Sequence, residues 1–426
     1  MALAVLSPLA CAAEPEPGPD LGDDPVAYLS DAEYRRAILE RDLDPTEPIY
    51  AQIRLRYYAS GDVDDWDGLP VVDWPTAPVT LAWAAELAAT QVPPPVEFAP
   101  PLSDGFELDA LPSSPTEWVA LGERVFFEYP MSTAPAIGLA LRAGIDLREY
   151  GLLVTPGADG EDTYVGLRLL DGGGEPRLAV TCASCHASIG ADGRPSGVRA
   201  NRDYDFGRLR VDFGGAAEPH GVDTTALEDL AALGPGRSDV QSDGVFNPYA
   251  FPDFGGIADM PYLHHTANWT QRGVATLAIR IETVFISGTD RPPRVLTWAL
   301  AEYLRSLPPP PPVAEPSPAS QRGEAVFAAA GCPSCHTPPL YTSATRVPVD
   351  ALGTDAAAGT SPVRGTGHWR VPSLRGVGGN APYLHHGAFE TLEAMFDPDR
   401  DEPGHVFGLE LGEAERADLL AFLRTI

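Results

Sequence analysis

Lysine is missing from this 426-residue chain: all 29 basic side chains are arginine, set against 60 acidic ones, for a formal net charge of −31. An acidic excess of that size repels nucleic-acid backbones and anionic lipid. It steers a basic protein partner inward, and it also serves plain solubility. Long apolar runs are missing too, since no stretch approaches the roughly 18 residues a membrane-spanning helix needs. Sulfur is scarce, with five cysteines and four methionines, so where it falls carries information. Four of those cysteines sit in two short stretches, "TCASCHA" at 181–187 and "GCPSCHT" at 331–337.

What is abundant is proline (45) and glycine (42), which predicts many loops and short elements. An apolar content of 44% suits a globular chain, and the length predicts two or three domains. "MALAVLSPLAC" (1–11) is a short apolar stretch of secretion-signal type, with no basic residue ahead of its apolar core. Cys11, followed by a polar tail, resembles a bacterial lipoprotein cleavage site, although Pro8 fits that pattern poorly. Lipid attachment at Cys11 and an inert thiol both remain open.

Residues 12–110 form an acidic, proline-rich extension with no chemical motif. "SDAE" reads as a capping box, Ser30 to Glu33, ahead of one helix, and residues 79–90 read as another. Ser114, Pro115 and Glu117 open an amphipathic helix at the start of a first module, 111–307. Five consecutive prolines in "LPPPPPVAEPSP" favour an extended spacer, so 308–318 is a linker. A second module, 319–426, then repeats a capped helix followed by a cysteine pair. "PYLHH" occurs at 261–265 and 382–386, and "AEYLRSL" (301–307) matches "LAFLRTI" (420–426) in character. Each module therefore runs helix, CxxCH, long loop region, PYLHH, closing helix. The predicted fold is mainly α: two fused domains of one plan with long loops, plus the extension.

In CxxCH, thiols at i and i+3 add across the two vinyl groups of one haem, and the adjacent histidine lies under the iron. Zinc knuckles usually stand about 15–20 residues apart, whereas these pairs are 150 apart in separate modules. A thioredoxin-like pair would want a βαβ context, and disulfides give no reason for the histidines. Two covalent c-type haems are thus expected on Cys182, Cys185 and His186, and on Cys332, Cys335 and His336. Such attachment implies a periplasmic or other extracytoplasmic compartment. The iron's other face decides function, because a sixth protein ligand makes an electron-transfer centre and an open face admits peroxide or dioxygen. For the second haem, His405 is favoured over Met395. For the first, His264 and His265 are candidates either as ligand or as haem-pocket residues, with Met260 behind them.

These motifs resemble the di-haem cytochrome c peroxidase and MauG superfamily. "WRVPSLRGVGGNAPYLHHGAFETLEAMF" carries the resemblance in the second module, the stronger match. "LGERVFFEYPMS" and "VTCASCHASIGADGRPS" carry it in the first. The resemblance implies two mostly helical cytochrome c-like haem domains, a low-spin electron-entry haem in the second module, a peroxide- or oxygen-reactive haem in the first, and calcium as a possible further ion, while the acidic charge points to a small basic electron carrier as redox partner. Two features depart from the family. Its inter-haem Trp-Asp-Gly-Arg run is replaced by "PYLHHTANWTQRG", where Trp269 or a histidine could stand in, and its peroxidatic acid context is absent, with Glu282 the only nearby carboxylate. The family's methionine ligand aligns near Asp399, which supports His405 as the replacement. The implied activity is peroxidase-like oxidoreduction. The alternative is a non-catalytic electron carrier with both irons six-coordinate.

Overall fold

A computed structural model describes residues 21–43, 67–157, 160–214, 227–239, 246–285, 290–361 and 365–426. Cys11 lies outside them. Among the described residues no helix is long and apolar enough to cross a membrane. The described residues are mainly helical, with one five-stranded sheet and three two-stranded ones among them. The first long helix, α1 (Ala32–Asp42), is capped by Asp31, whose carboxylate accepts from the Glu33 and Tyr34 N–H groups. The cap thus lies one residue beyond Ser30, where it was expected, and it is Asp31 alone that satisfies the helix start. Ser30 closes a preceding short helix and turns its hydroxyl back to the Val26 carbonyl at 2.7 Å. α2 spans Leu81–Thr90, capped by Thr80. The two residues before it, expected to be helical, belong instead to a strand, Thr76–Thr80.

Two helix pairs repeat one packing solution. In the first module α3 (Pro115–Glu128) crosses the closing helix α4 (Arg294–Ser306). In the second, α5 (Pro318–Ala329) crosses α6 (Glu413–Leu423). A glycine stands at each crossing. A Cβ on Gly122 would lie 1.9 Å from the Ala299 carbonyl oxygen, and one on Gly323 would lie 1.9 Å from that of Asp418. An aromatic pair seals each contact, Phe126–Tyr303 and Phe327–Phe422, both at 5.4 Å between centroids. Without side chains the backbones approach closely, and dispersion contacts between the helices are gained along the whole crossing.

Beyond that glycine the two modules diverge. Gly323 precedes Cys332 by nine residues, and Gly122 precedes Cys182 by sixty. The added chain supplies four strands of an antiparallel sheet, β2 (Ser132–Thr133), β3 (Val154–Pro156), β4 (Asp162–Leu170) and β5 (Arg177–Val180), and the extension supplies the fifth, β1 (Thr76–Thr80). Its order is β1-β4-β5-β2, with β3 also on β4. β4 is buried on both faces along most of its length, so it shows none of the alternation that reveals a half-exposed strand. Gly166, at φ +78°, sits where a Cβ would lie 2.2 Å from the Ser184 nitrogen. That gap lets the CxxCH segment rest on the sheet.

The extension shares the first module's core: Tyr28, Ile38, Leu39 and Leu43 are buried with Trp118, Trp269 and Trp298. Each fully buried side chain of this size contributes about 1.5–3 kcal/mol by area. The proline stretch, residues 308–312, takes no helix or strand and is tied down along its length. Gly256 N–H donates to the Leu307 carbonyl, Arg199 to that of Pro311, and Val313 and Ala314 N–H to that of Arg424.

Candidate functional site: two CxxCH segments and the junction between them

Thr181 caps a short helix over Cys182–His186. At its end His186 Nδ1 lies 3.1 Å from the Pro252 carbonyl oxygen. A carbonyl only accepts, so Nδ1 carries the proton and the Nε2 lone pair is left for a metal. His336 repeats the arrangement, with Nδ1 3.1 Å from the Tyr341 carbonyl oxygen, and the nearby Pro372 carbonyl favours its protonated form. Pro252 and Pro372 are equivalent. Each stands four residues before a glycine of positive φ, Gly256 or Gly376, that opens a 3-10 turn. The shared "PYLHH" motif gave no hint of this correspondence, which lies in "FPDFGG" against "VPSLRG".

Burial pushes His186 down to about 4 and lowers His336, so both imidazoles are neutral and able to ligate. Burial raises the Cys182 and Cys185 thiols to about 12. A zinc-thiolate site would want deprotonated thiols. Among the described residues no three His, Cys, Asp or Glu side chains are gathered to hold a metal ion. These donors fit thioether attachment of haem with an axial imidazole.

Opposite His336 stands His405, their ring centroids 6.4 Å apart. Two ring nitrogens each about 2 Å from one metal ion put the centroids about 6 Å apart, so this gap matches one iron between two imidazoles. His405 sits at φ +41°, a left-handed conformation that a non-glycine residue adopts only when its surroundings enforce it. Arg400 supplies that constraint. It is stacked 4.6 Å over the Phe389 ring and donates to the carbonyls of Glu402, Gly404 and His405. Met395, the other candidate, is buried in the C-terminal core. Both line one cavity of about 360 Å³ together with Cys332, Cys335 and His336.

That cavity runs on into the junction between the modules, where it also meets His265 and His385. There an aromatic cluster is assembled. Trp369 stacks on His385 at 4.4 Å, and His385 stacks on His386 at 4.3 Å. Tyr249 lies 5.7 Å from His265, 5.8 Å from His264 and 6.1 Å from His385. His264 Nδ1 lies 2.8 Å from the Thr266 hydroxyl. Backbone bonds stitch the two sides, Ala250 N–H to the His385 carbonyl at 2.9 Å and Arg370 N–H to that of His265 at 2.8 Å. Arg199 and Arg237 add cross-module bonds to the carbonyls of Gly379 and His386.

Two residues weighed from sequence lie elsewhere. Trp269 is wholly buried in the first core, and the tryptophan at the junction is Trp369, 100 residues later. Glu282 is also wholly buried, ion-paired with Arg294 at 3.1 Å and accepting from the Tyr28 hydroxyl at 2.8 Å. It is spent on anchoring the N-terminal segment. Tyr249 and Trp369 had no local signature, because only the fold brings them within reach of the histidines.

No family model matches the chain. Its sequence is similar to the methylamine utilization protein MauG of Methylorubrum extorquens, at 32% identity over 120 residues. That stretch is 25% of this chain and 34% of the relative, so the chain matches about a third of that protein's length. Similar solved structures include the di-haem peroxidase BthA from Burkholderia thailandensis E264, at 18% identity and TM-score 0.35 over 75% of this chain and 88% of that one. A MauG-like protein associated with microbial copper homeostasis matches at 20% identity and TM-score 0.28, over 74% and 89%.

Proposed function

We propose that this chain, whose sequence resembles MauG over 120 residues, belongs to the di-haem cytochrome c peroxidase and MauG superfamily and is an extracytoplasmic di-haem c-type cytochrome. One haem is held by Cys182, Cys185 and His186, the other by Cys332, Cys335 and His336. The observation that carries this reading is the matched pair of Nδ1–H···O=C bonds. They fix both histidines in the tautomer that offers Nε2 to a metal. When bound, haem supplies one-electron chemistry at its iron. The protein's part is to orient the two axial imidazoles, to keep them neutral by burial, and to hold the modules at a fixed separation through the junction bonds.

In this reading His336 and His405 would hold the iron of the second haem, and a centre with two protein ligands would serve electron transfer with a basic redox protein. The first centre, under the sheet, is the candidate for peroxide or dioxygen chemistry. A non-catalytic carrier is the second reading, and one observation favours it. Glu282, the only carboxylate the sequence offered for acid–base work near the first haem, is committed to Arg294 and Tyr28.

Mass spectrometry of the holoprotein should find two covalent haems. Low-temperature spin-state spectra of the ferric and half-reduced forms then separate the two versions. A high-spin component that binds carbon monoxide on reduction supports the enzyme. Two low-spin centres inert to peroxide in every redox state leave the carrier. A protein purified with no covalent haem sinks both.

A further inference from the structure

Three arginines line the cavity that holds His336 and His405: Arg202, Arg370 and Arg375. Two have their charge answered within the protein. Arg202 pairs with Asp253 at 2.8 Å, and Arg375 pairs with Asp259 at 3.0 Å. Arg370 has no carboxylate partner among the described residues. Its Nη1 donates to the Tyr262 carbonyl at 2.9 Å, and its Nε is inaccessible with no hydrogen-bond partner. Its backbone N–H is held by the His265 carbonyl, so the first module's PYLHH loop grips this residue twice.

A guanidinium removed from water without a counter-charge is expensive, and an unmatched buried N–H adds to that expense. The cause shows in its acidity: desolvation alone pushes Arg370 down to about 10. An anion in the adjoining cavity would supply the missing counter-charge. A planar guanidinium is matched in shape by a carboxylate.

Resting on the di-haem reading, we infer that Arg370 is the cavity's carboxylate-binding residue and that it pairs with a propionate of the haem attached at Cys332 and Cys335. The carboxylate of a small free acid offers the same chemistry, so the test includes an arm for it. A cation beside a propionate offsets negative charge near the iron and favours the reduced state. Arg370 therefore raises the potential of the second haem, and the first module's loop holds it in place to do so.

The experiment is a redox titration of the holoprotein, following the low-spin bis-imidazole signal in wild type, Arg370→Gln and Arg375→Gln, with and without added acetate. Arg370→Gln should shift the reduction equilibrium about tenfold toward the oxidised form, about 59 mV for one electron. Arg375→Gln, whose charge Asp259 already answers, should shift it less, and acetate should leave the wild type unmoved. A potential unchanged in Arg370→Gln overturns the inference. A saturable response of wild type to acetate reassigns the site to a free acid. Should the glutamine variant fail to fold, Arg370→Lys replaces the fork with a point charge and should give about a threefold shift in the same direction. No shift there overturns it equally. A protein with one haem, on Cys182 and Cys185 alone, would defeat the di-haem reading, whereas two haems with an unmoved potential defeat only this inference.

Discussion

Residues Thr181–Ala187 lie under a five-stranded sheet, with Thr181, Ala183, Ser184 and Ala187 at or below 1% exposure. Cys182 packs on one core and Cys185 on another. The corresponding Gly331–Thr337 segment has Gly331, Ser334 and Thr337 exposed, and the nine residues before it leave no room for a cover. Both segments carry a histidine whose Nδ1 is tied to a backbone carbonyl, so in the proposed reading the attachment chemistry is the same. The difference lies in insulation. A reactive centre gains from a wall that excludes water and strengthens local electrostatics, whereas an electron-entry centre gains from an edge near the surface. His186 has Phe254 at 4.5 Å and Phe251 at 6.0 Å, while His336 has His405.

The sharpest way to break this contrast is at His405. His405→Ala should remove the sixth ligand of the second centre and convert its low-spin signature to high-spin, with carbon monoxide binding to the reduced form strengthened at least tenfold. The first centre's spectrum should stay as it was. Absorption and spin-resonance spectra before and after reduction check this. A second-centre spectrum unchanged by the substitution removes His405 from the iron and returns Met395 to consideration.

A smaller effect tests whether the modules are alike in their frames as well as their motifs. Gly122→Ala and Gly323→Ala each place a methyl 1.9 Å from a carbonyl oxygen of the crossing helix. Overpacking of this kind costs about 1–3 kcal/mol, more than the roughly 1 kcal/mol that alanine gains in a helix. Both variants should unfold at lower denaturant concentration than wild type, by similar amounts. If Gly122→Ala is tolerated and Gly323→Ala is not, the two crossings are not equivalent and the repeat stops at its motifs.

How much of this was legible depends on how local each feature is. The cysteine spacing, the Ser114 cap and the repeated closing helices are short-range patterns, and they could be read directly. The sheet could not, because β4 is buried on both faces and interrupted by Gly166, which a strand would normally avoid. In place of alternation the sequence shows an apolar run broken by a glycine. The junction was least legible, since Tyr249, Trp369 and His385 are more than 100 residues apart at the extremes and each is unremarkable in its own stretch. Seeing Arg370 as unanswered required knowing which carboxylates had already gone to Arg202 and Arg375.

The smallest effect concerns pH, and it separates the junction from the haem ligands. Burial first, and the neighbouring His386 second, push His385 down to about 3. The unfolded chain's imidazole titrates near 6.5, so below that pH the unfolded state binds a proton that the folded state refuses. The stability contributed by neutral His385 is therefore complete above about pH 6.5 and is lost as pH falls from there toward 3. The limiting slope for one such group is about 1.4 kcal/mol per pH unit. His265 and His386 are also shifted down by burial, so replacing one histidine should flatten the curve without levelling it. His385→Phe keeps the stack on Trp369 and removes the titration. Thermal unfolding of the holoprotein between pH 7 and 4 should then show a shallower decline than wild type, with the two curves converging toward pH 7 apart from a constant offset. Parallel curves across that range would mean that the junction opens to water before the rest of the molecule does, and that His385 takes up its proton without resisting unfolding.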